Sequence, residues 1–286
     1  MATDASTALL FPGQGSQSPG MREMVEAACP ELLELAVERT GDDPFDRLQD
    51  GTRFAQPALF CASLAAWTRA GRPRADCLAG HSLGEFAALV AAGSLPAEDG
   101  MRLVALRGRL MQEAAEIEPG GMMALRAGRA DARAIAAPLG LTVANDNAPD
   151  QVVLSGPDAA LEAAAAQARA RGVRALRLPV RGAFHSPAMR RVVPRFRAAL
   201  AGVEFAAARA PVYSSVTARP FDDPRTRLAQ ALVRPVRWRS TLYALRRAGV
   251  ERFVEAGPGH VLSGLVARTL DGVAAITLEH LEPARA

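Results

Sequence analysis

The sequence predicts an α/β fold: a large α/β-hydrolase-like domain with a mostly parallel sheet, interrupted by a small ferredoxin-like subdomain. Three observations predict it. Short apolar runs alternate with helical periodicity from residue 7 to about residue 115, the rhythm of a parallel sheet with helical crossovers. Within residues 119–181 the rhythm becomes β-α-β-β-α-β. After Arg181-Gly182 the larger pattern resumes. The expected units are 1–118 with 182–286 for the large domain, and 119–181 for the insert.

The elements follow in order. Residues 7–11 read as a buried strand, stopped by Pro12-Gly13. Helical patterns run on to about Thr40 and again over 56–69. Residues 75–79 read as a second buried strand, ended by Gly80, and 85–92 as a helix. Pro96 opens a helix to about Ala115, because the first turn needs no N–H from it. In the insert, 122–125, 141–144, 151–154 and 173–180 read as strands. Residues 130–137 and 159–170 read as helices, ended by Pro138 and Gly172; Leu161, Ala164 and Ala168 share one face of the second. Beyond it, 211–216, 252–255 and 274–278 are strand candidates, and 189–200, 240–248 and 261–270 are helix candidates.

Composition bounds the function. The chain has 286 residues, 49% hydrophobic and 22% charged, which suits a large globular core and excludes a disordered or collagen-like chain. Cys29, Cys61 and Cys77 lack C-x-x-C spacing, which argues against a zinc site or disulfide scaffold, so no metal is expected. All 34 basic residues are Arg, which excludes a Lys Schiff base and a P-loop lysine. The net charge of +4 is spread along the chain without a basic run and interleaved aromatics. Nucleic acid is therefore not an expected partner; phosphorylated cofactors or acidic proteins are. Met1-Ala2-Thr3-Asp4 has no basic start of a leader, and no run approaches the ~20 apolar residues of a membrane span. A cytoplasmic protein without membrane contact is expected.

Gly80-His81-Ser82-Leu83-Gly84 is a G-x-S-x-G between an apolar strand and a helix, the setting of a nucleophile elbow. So sharp a turn leaves no room for a Cβ on either side of the serine. Ser82 would project above the sheet, and the N–H of Leu83 would face a developing oxyanion. The plainer reading is a tight turn without chemistry. A serine hydroxyl needs a base, and the chain has four histidines. His81 adjoins Ser82, so its ring is expected to point away and pack. His280 lies near the C-terminus. By elimination His185, in Gly182-Ala183-Phe184-His185-Ser186-Pro187, is the expected base, with His260 as its rival.

On the helix after Pro96, Leu103, Leu106, Leu110 and Ala114 form an apolar stripe, and Arg107 lies inside it. A buried guanidinium needs a partner. That partner is either an internal Asp or Glu or the carboxylate of a substrate, held bidentately. Phe11-Pro12-Gly13-Gln14-Gly15-Ser16-Gln17 contains G-x-G after a strand, but Ser18 stands where a dinucleotide fingerprint needs Gly. The alternative is that the Gln14 N–H supplies a second oxyanion donor.

These pieces, with Gln56-Pro57-Ala58, Gly84-Glu85, Arg107-Gly108-Arg109-Leu110-Met111-Gln112 and Gly257-Pro258-Gly259, make the chain resemble the malonyl-CoA:acyl-carrier-protein transacylase family. The resemblance covers nearly the whole sequence in order. Ala183-Phe184-His185-Ser186-Pro187 and Val216-Thr217-Ala218-Arg219-Pro220 look closest to the discrete, trans-acting acyltransferases of polyketide synthases. The resemblance implies Ser82 as nucleophile, His185 as base, the N–H groups of Gln14 and Leu83 as oxyanion hole, and Arg107 as clamp for the malonyl carboxylate. It also implies Gln56 beside Arg107, Asn147 close to the site on the small subdomain, and Phe184 as a bulk that favours malonyl over branched units. Malonyl-CoA would be the substrate, with no bound cofactor. The partner would be an acidic, phosphopantetheinylated acyl carrier protein, and a monomer is expected. One departure is visible: family members often have a Gln, four residues before Pro-Val-x-Trp, whose backbone carbonyl orients the catalytic His. Here Ala231 stands four residues before Pro235-Val236-Arg237-Trp238. Any residue has a carbonyl, so the assignment stands, and the lack of an evident triad Asp is accounted for. The chain ends soon after Leu278, so a C-terminal docking tail is expected to be short or absent.

Two competing activities share Ser82 and His185: an editing acyl hydrolase and a carrier-to-carrier acyltransferase. Stalled acyl chains have no terminal carboxylate, so Arg107 favours transfer of a dicarboxylic half-ester. A non-catalytic carrier-docking module has no need of nucleophile, base and oxyanion loop together. Arg181, Arg190 and Arg191 flank His185 in sequence and are expected at the site mouth, with a solvated helix face as the alternative.

Overall fold

The computed structural model describes residues 5–280. Residues 1–4, which carry the expectation of no leader, and residues 281–286, which carry the expected tail, lie outside the described residues. The chain runs β1 (Thr7–Phe11), α1 (Met21–Ala28), α2 (Pro30–Thr40), α3 (Thr52–Arg69), β2 (Cys77–Gly80), α4 (Gly84–Ala91) and α5 (Ala97–Ile117). Then come β3 (Gly121–Leu125), α6 (Arg129–Ala136), β4 (Thr142–Ala148), β5 (Gln151–Gly156), α7 (Asp158–Ala170) and β6 (Ala175–Arg177). The remainder is α8 (Val193–Ala201), β7 (Val212–Ser214), β8 (Arg219–Pro220), α9 (Pro224–Ala231), α10 (Trp238–Arg247), β9 (Arg252–Glu255), α11 (Val261–Ala267) and β10 (Ala274–Thr277).

The larger sheet has the order β10-β9-β1-β2-β7-β8, with every neighbouring pair parallel except β7 and β8. Central β1 is covered on both faces, which is why its sequence is a continuous apolar run rather than an alternation. Leu9 and Phe11 face a core built with α1 to α5 and α8; Ala8 and Leu10 face a second core with Trp238, Leu242, Leu262 and Leu265 of α10 and α11. The smaller sheet is antiparallel, in the order β4-β5-β3-β6. One face packs Met123, Leu125 and Leu154 against α6 and α7; from the other, Met122, Ala144 and Val153 join the larger core.

A further seam joins the two sheets' surroundings. Val236 donates to Ala144 O at 2.8 Å and Asp146 N–H donates to Val236 O at 2.9 Å. The Asp146 carboxylate, nearly sealed from solvent, pairs with Arg129 at 3.2 Å and Arg239 at 3.1 Å.

Several sequence expectations shift. The strand expected over 75–79 is Cys77–Gly80, so Gly80 belongs to the ladder. The strand expected over 173–180 shrinks to Ala175–Arg177, since Pro179 has no N–H to continue it. The helix expected from residue 56 starts at Thr52 and carries Pro57 in its interior. The helix expected over 189–200 is a 3-10 turn, Pro187–Val192, followed by α8, with Pro194 at its start. Helix α9 escaped the sequence reading, although Asp223 caps it by accepting from the N–H groups of Arg225 and Thr226. Its apolar face is short, so periodicity gave little signal.

Candidate active site

The turn after β2 explains its glycines. A Cβ on Gly80 would collide with the backbone of Gly84 and Glu85, and one on Gly84 with the carbonyl of Phe11. Ser82 itself has φ +53°, a left-handed conformation that costs a non-glycine residue about 1–3 kcal/mol. The fold holds it there: His81 N–H donates to Phe11 O at 2.9 Å, and Gly84 N–H to His81 O at 3.0 Å. The backbone N–H groups of Leu83, entering α4, and Gln14, in the loop after β1, donate to no acceptor among the described residues.

Ser82 Oγ lies 2.9 Å from His185 Nε2. The His185 Nδ1–H donates to Ala231 O at 2.7 Å, which leaves the lone pair on Nε2, facing the serine. Burial, then the nearby positive charge of Arg107, pushes the imidazole down to about 3, so it stays neutral at ordinary pH. His185 also has positive φ, +57°. The rival His260 is exposed at the start of α11, in a separate cavity of about 590 Å³ with Ser18, Met24 and Arg69.

Arg107 is 2% exposed. Its Nη1 donates to Gln56 Oε1 at 2.6 Å and its Nη2 to Ser82 Oγ at 3.0 Å; its Nε has no partner. Gly108 lets α5 approach α3 at this point, since a Cβ there would lie 2.8 Å from Thr52 O. Gln56 is fixed from the other side by Thr52 Oγ1, which accepts from Gln56 Nε2 at 2.7 Å and donates to Gln14 Oε1 at 2.8 Å. Of the two partners weighed for Arg107, no internal carboxylate bonds it directly among the described residues.

Asn147, at the end of β4, bonds His81 Nε2 at 2.9 Å rather than Arg107, and the His81 ring meets Trp238 edge to face at 5.4 Å. Phe184 is buried over the Gly182 backbone in the main core. Arg181, Arg190 and Arg191 are all exposed. Two features were missed in the sequence: Thr52 as brace of Gln56, which has no motif, and the buried Glu85, which directly follows the elbow motif. Among the described residues no three His, Cys, Asp or Glu side chains cluster as a metal site needs, and no helix is long and apolar enough to cross a membrane.

A strained serine, a neutral histidine within hydrogen-bond reach and a buried cation form a site suited to making and holding an acyl ester. The chain belongs to the acyl transferase domain family, whose model matches residues 33–284. It is 40% identical to the polyketide biosynthesis protein ThaF of Burkholderia thailandensis over 92% of this chain, although it spans only 24% of that protein. It is 38% identical to the malonyl CoA-acyl carrier protein transacylase of Salmonella typhimurium, covering 97% of this chain and 96% of the relative. The crystal structure of a malonyl-CoA:acyl carrier protein transacylase from Xanthomonas oryzae superposes with a TM-score of 0.88 at 39% identity, covering 96% of this chain and 95% of that one.

Proposed function

We propose that this protein transfers a malonyl group from CoA to the phosphopantetheine thiol of an acyl carrier protein through an ester on Ser82. The observation that carries this reading is the placement of Ser82 Oγ between His185 Nε2 and Arg107 Nη2. His185 takes the hydroxyl proton as Oγ attacks the thioester carbonyl, and gives it to the departing CoA sulfur. The Leu83 and Gln14 N–H groups receive the oxyanion. The carrier thiol then reverses the steps. Arg107 holds the malonyl carboxylate, which presents a better acceptor than the neutral Gln56 and Ser82 oxygens. That contact fixes the acyl group in one pose. Gln56 braces Arg107, Asn147 braces the turn through His81, and Phe184 limits the room for branched acyl groups.

The same reading divides the chain into a hydrolase-like unit, 1–118 with 182–286, and a ferredoxin-like insert, 119–181. The strand order of the smaller sheet and a core cluster drawn wholly from the insert support it. Incubation with radiolabelled malonyl-CoA, with and without a carrier protein, tests the function. Label on the carrier thiol is expected. Release of free malonate at the same rate with or without carrier would identify a hydrolase instead.

A further inference from the structure

A buried guanidinium calls for a counter-charge, yet both groups that Arg107 reaches, Gln56 Oε1 and Ser82 Oγ, are neutral. The carboxylate whose charge acts on it is Glu85. Glu85 lies on the first turn of α4, three residues beyond Ser82, and is fully buried. Its Oε1 accepts the Ser215 N–H at 2.7 Å, while its Oε2 is sealed from solvent without a partner.

Among the described residues, the surroundings leave Glu85 as the one group able to adjust its charge. Elements α3, α5, β1, β2 and β7 pack against α4. Arg107 comes from α5. Cys61 on α3, Cys77 on β2 and Tyr213 on β7 are held protonated by burial. Strand β1 brings no titratable side chain. Ser214 and Ser215 offer hydrogen bonds only. His81 in the same turn and His185 opposite Ser82 are kept neutral by burial.

We infer that Glu85 is the resident counter-charge of Arg107 and that it takes up a proton when the carboxylate of an acyl group binds Arg107. The inference rests on the reading of Arg107 as the carboxylate clamp. Two carboxylates against one guanidinium leave a net buried negative charge, and one of them must be neutralised. The acyl carboxylate bonds Arg107 directly; Glu85 acts from beyond ion-pair distance and has a free oxygen to carry the proton. Burial already raises Glu85 to about 7. Below that pH it holds its proton before loading, and none is taken up. Above it, loading draws up to one proton, and malonyl affinity falls by up to about tenfold per pH unit. Glu85 is thus a positioning residue that makes the binding of dicarboxylic half-esters, and of no other acyl groups, pH-linked.

The test uses the Ser82→Ala protein, which binds without turnover. It is titrated calorimetrically with malonyl-CoA at about pH 8 in two buffers of different ionisation enthalpy, and again at about pH 6. Acetyl-CoA, which shares the CoA phosphates, is the control. Uptake approaching one proton for malonyl-CoA at the higher pH, little at the lower, and none for acetyl-CoA is expected; adding Glu85→Gln should abolish the uptake and flatten the pH dependence. Tighter binding of malonyl-CoA than acetyl-CoA without proton uptake overturns the inference and spares the clamp. Equal binding of the two esters overturns the clamp itself. Uptake that persists in Glu85→Gln assigns the proton elsewhere. Should Glu85→Gln fail to fold, the comparison of the two esters still decides.

Discussion

Arg107 and Ser82, 25 positions apart and on different elements, share a hydrogen bond of 3.0 Å. It is one link of a continuous chain from Gln14 through Thr52, Gln56, Arg107, Ser82 and His185 to the carbonyl of Ala231. The loop after β1 is thereby tied to the last turn of α9 through the hydroxyl itself. Shifts far from Ser82 therefore reach it, and an ångström of misplacement can cost about 10²-fold in rate.

Ser82→Ala should abolish the acyl-enzyme. Intact-mass spectrometry after mixing with malonyl-CoA should show the adduct on the wild type and none on the variant. Labelling that persists in the variant would place the nucleophile elsewhere.

His185→Ala should slow loading and transfer by about 10²–10⁴-fold, the usual size of a lost general base, while His260→Ala stays near wild type. Because the folded imidazole is pushed down to about 3, the loading rate should show no acid limb at the ordinary histidine value of about 6.5. The same shift destabilises the fold as pH falls below that value, since the unfolded chain then binds a proton that the folded one refuses. Melting temperatures and loading rates between about pH 5 and 8 separate the two effects.

Arg107→Ala should move preference from malonyl-CoA toward acetyl-CoA, with a loss on malonyl of about 2–5 kcal/mol, because a desolvated charge pair loses one partner. Competition between the two thioesters measures it. An unchanged preference would make Arg107 a purely structural residue.

Asp223→Ala removes the cap of α9 and should lower stability by about 1 kcal/mol, read as a fall in the melting temperature. Helix α9 ends on the carbonyl that orients His185, so the turnover number should fall with little change in KM. A variant that melts earlier but turns over normally would show that the cap stabilises α9 without positioning the carbonyl at its other end.

Arg190→Glu with Arg191→Glu should raise the KM for an acidic carrier protein and flatten its salt dependence, while hydrolysis of the acyl-enzyme by water stays unchanged. Both side chains are exposed on the turn that follows His185. Equal carrier KM in variant and wild type at low salt would assign them to a plain solvated surface.

Local chemistry made much of this protein legible in its sequence. Continuous apolar runs marked β1 and β2 because strands covered on both faces have no polar side. Two glycines around Ser82 marked the turn because no Cβ fits there, and Arg107 stood out as a charge within an apolar stripe. What local pattern could not supply was the pairing across distance. Neighbouring residues do not reveal that Ala231 O meets His185 Nδ1, that Thr52 braces Gln56, or that Asn147 turns to His81 rather than to Arg107. Each of those contacts is fixed by how helices and sheets pack, and any backbone carbonyl or small hydroxyl can serve once packing delivers it. Glu85 belongs to the same class. Its place three residues after Ser82, just past the motif, is plain in the sequence, but its burial, its unpaired oxygen and its charge balance with Arg107 exist only when α4, α5 and β7 close around it.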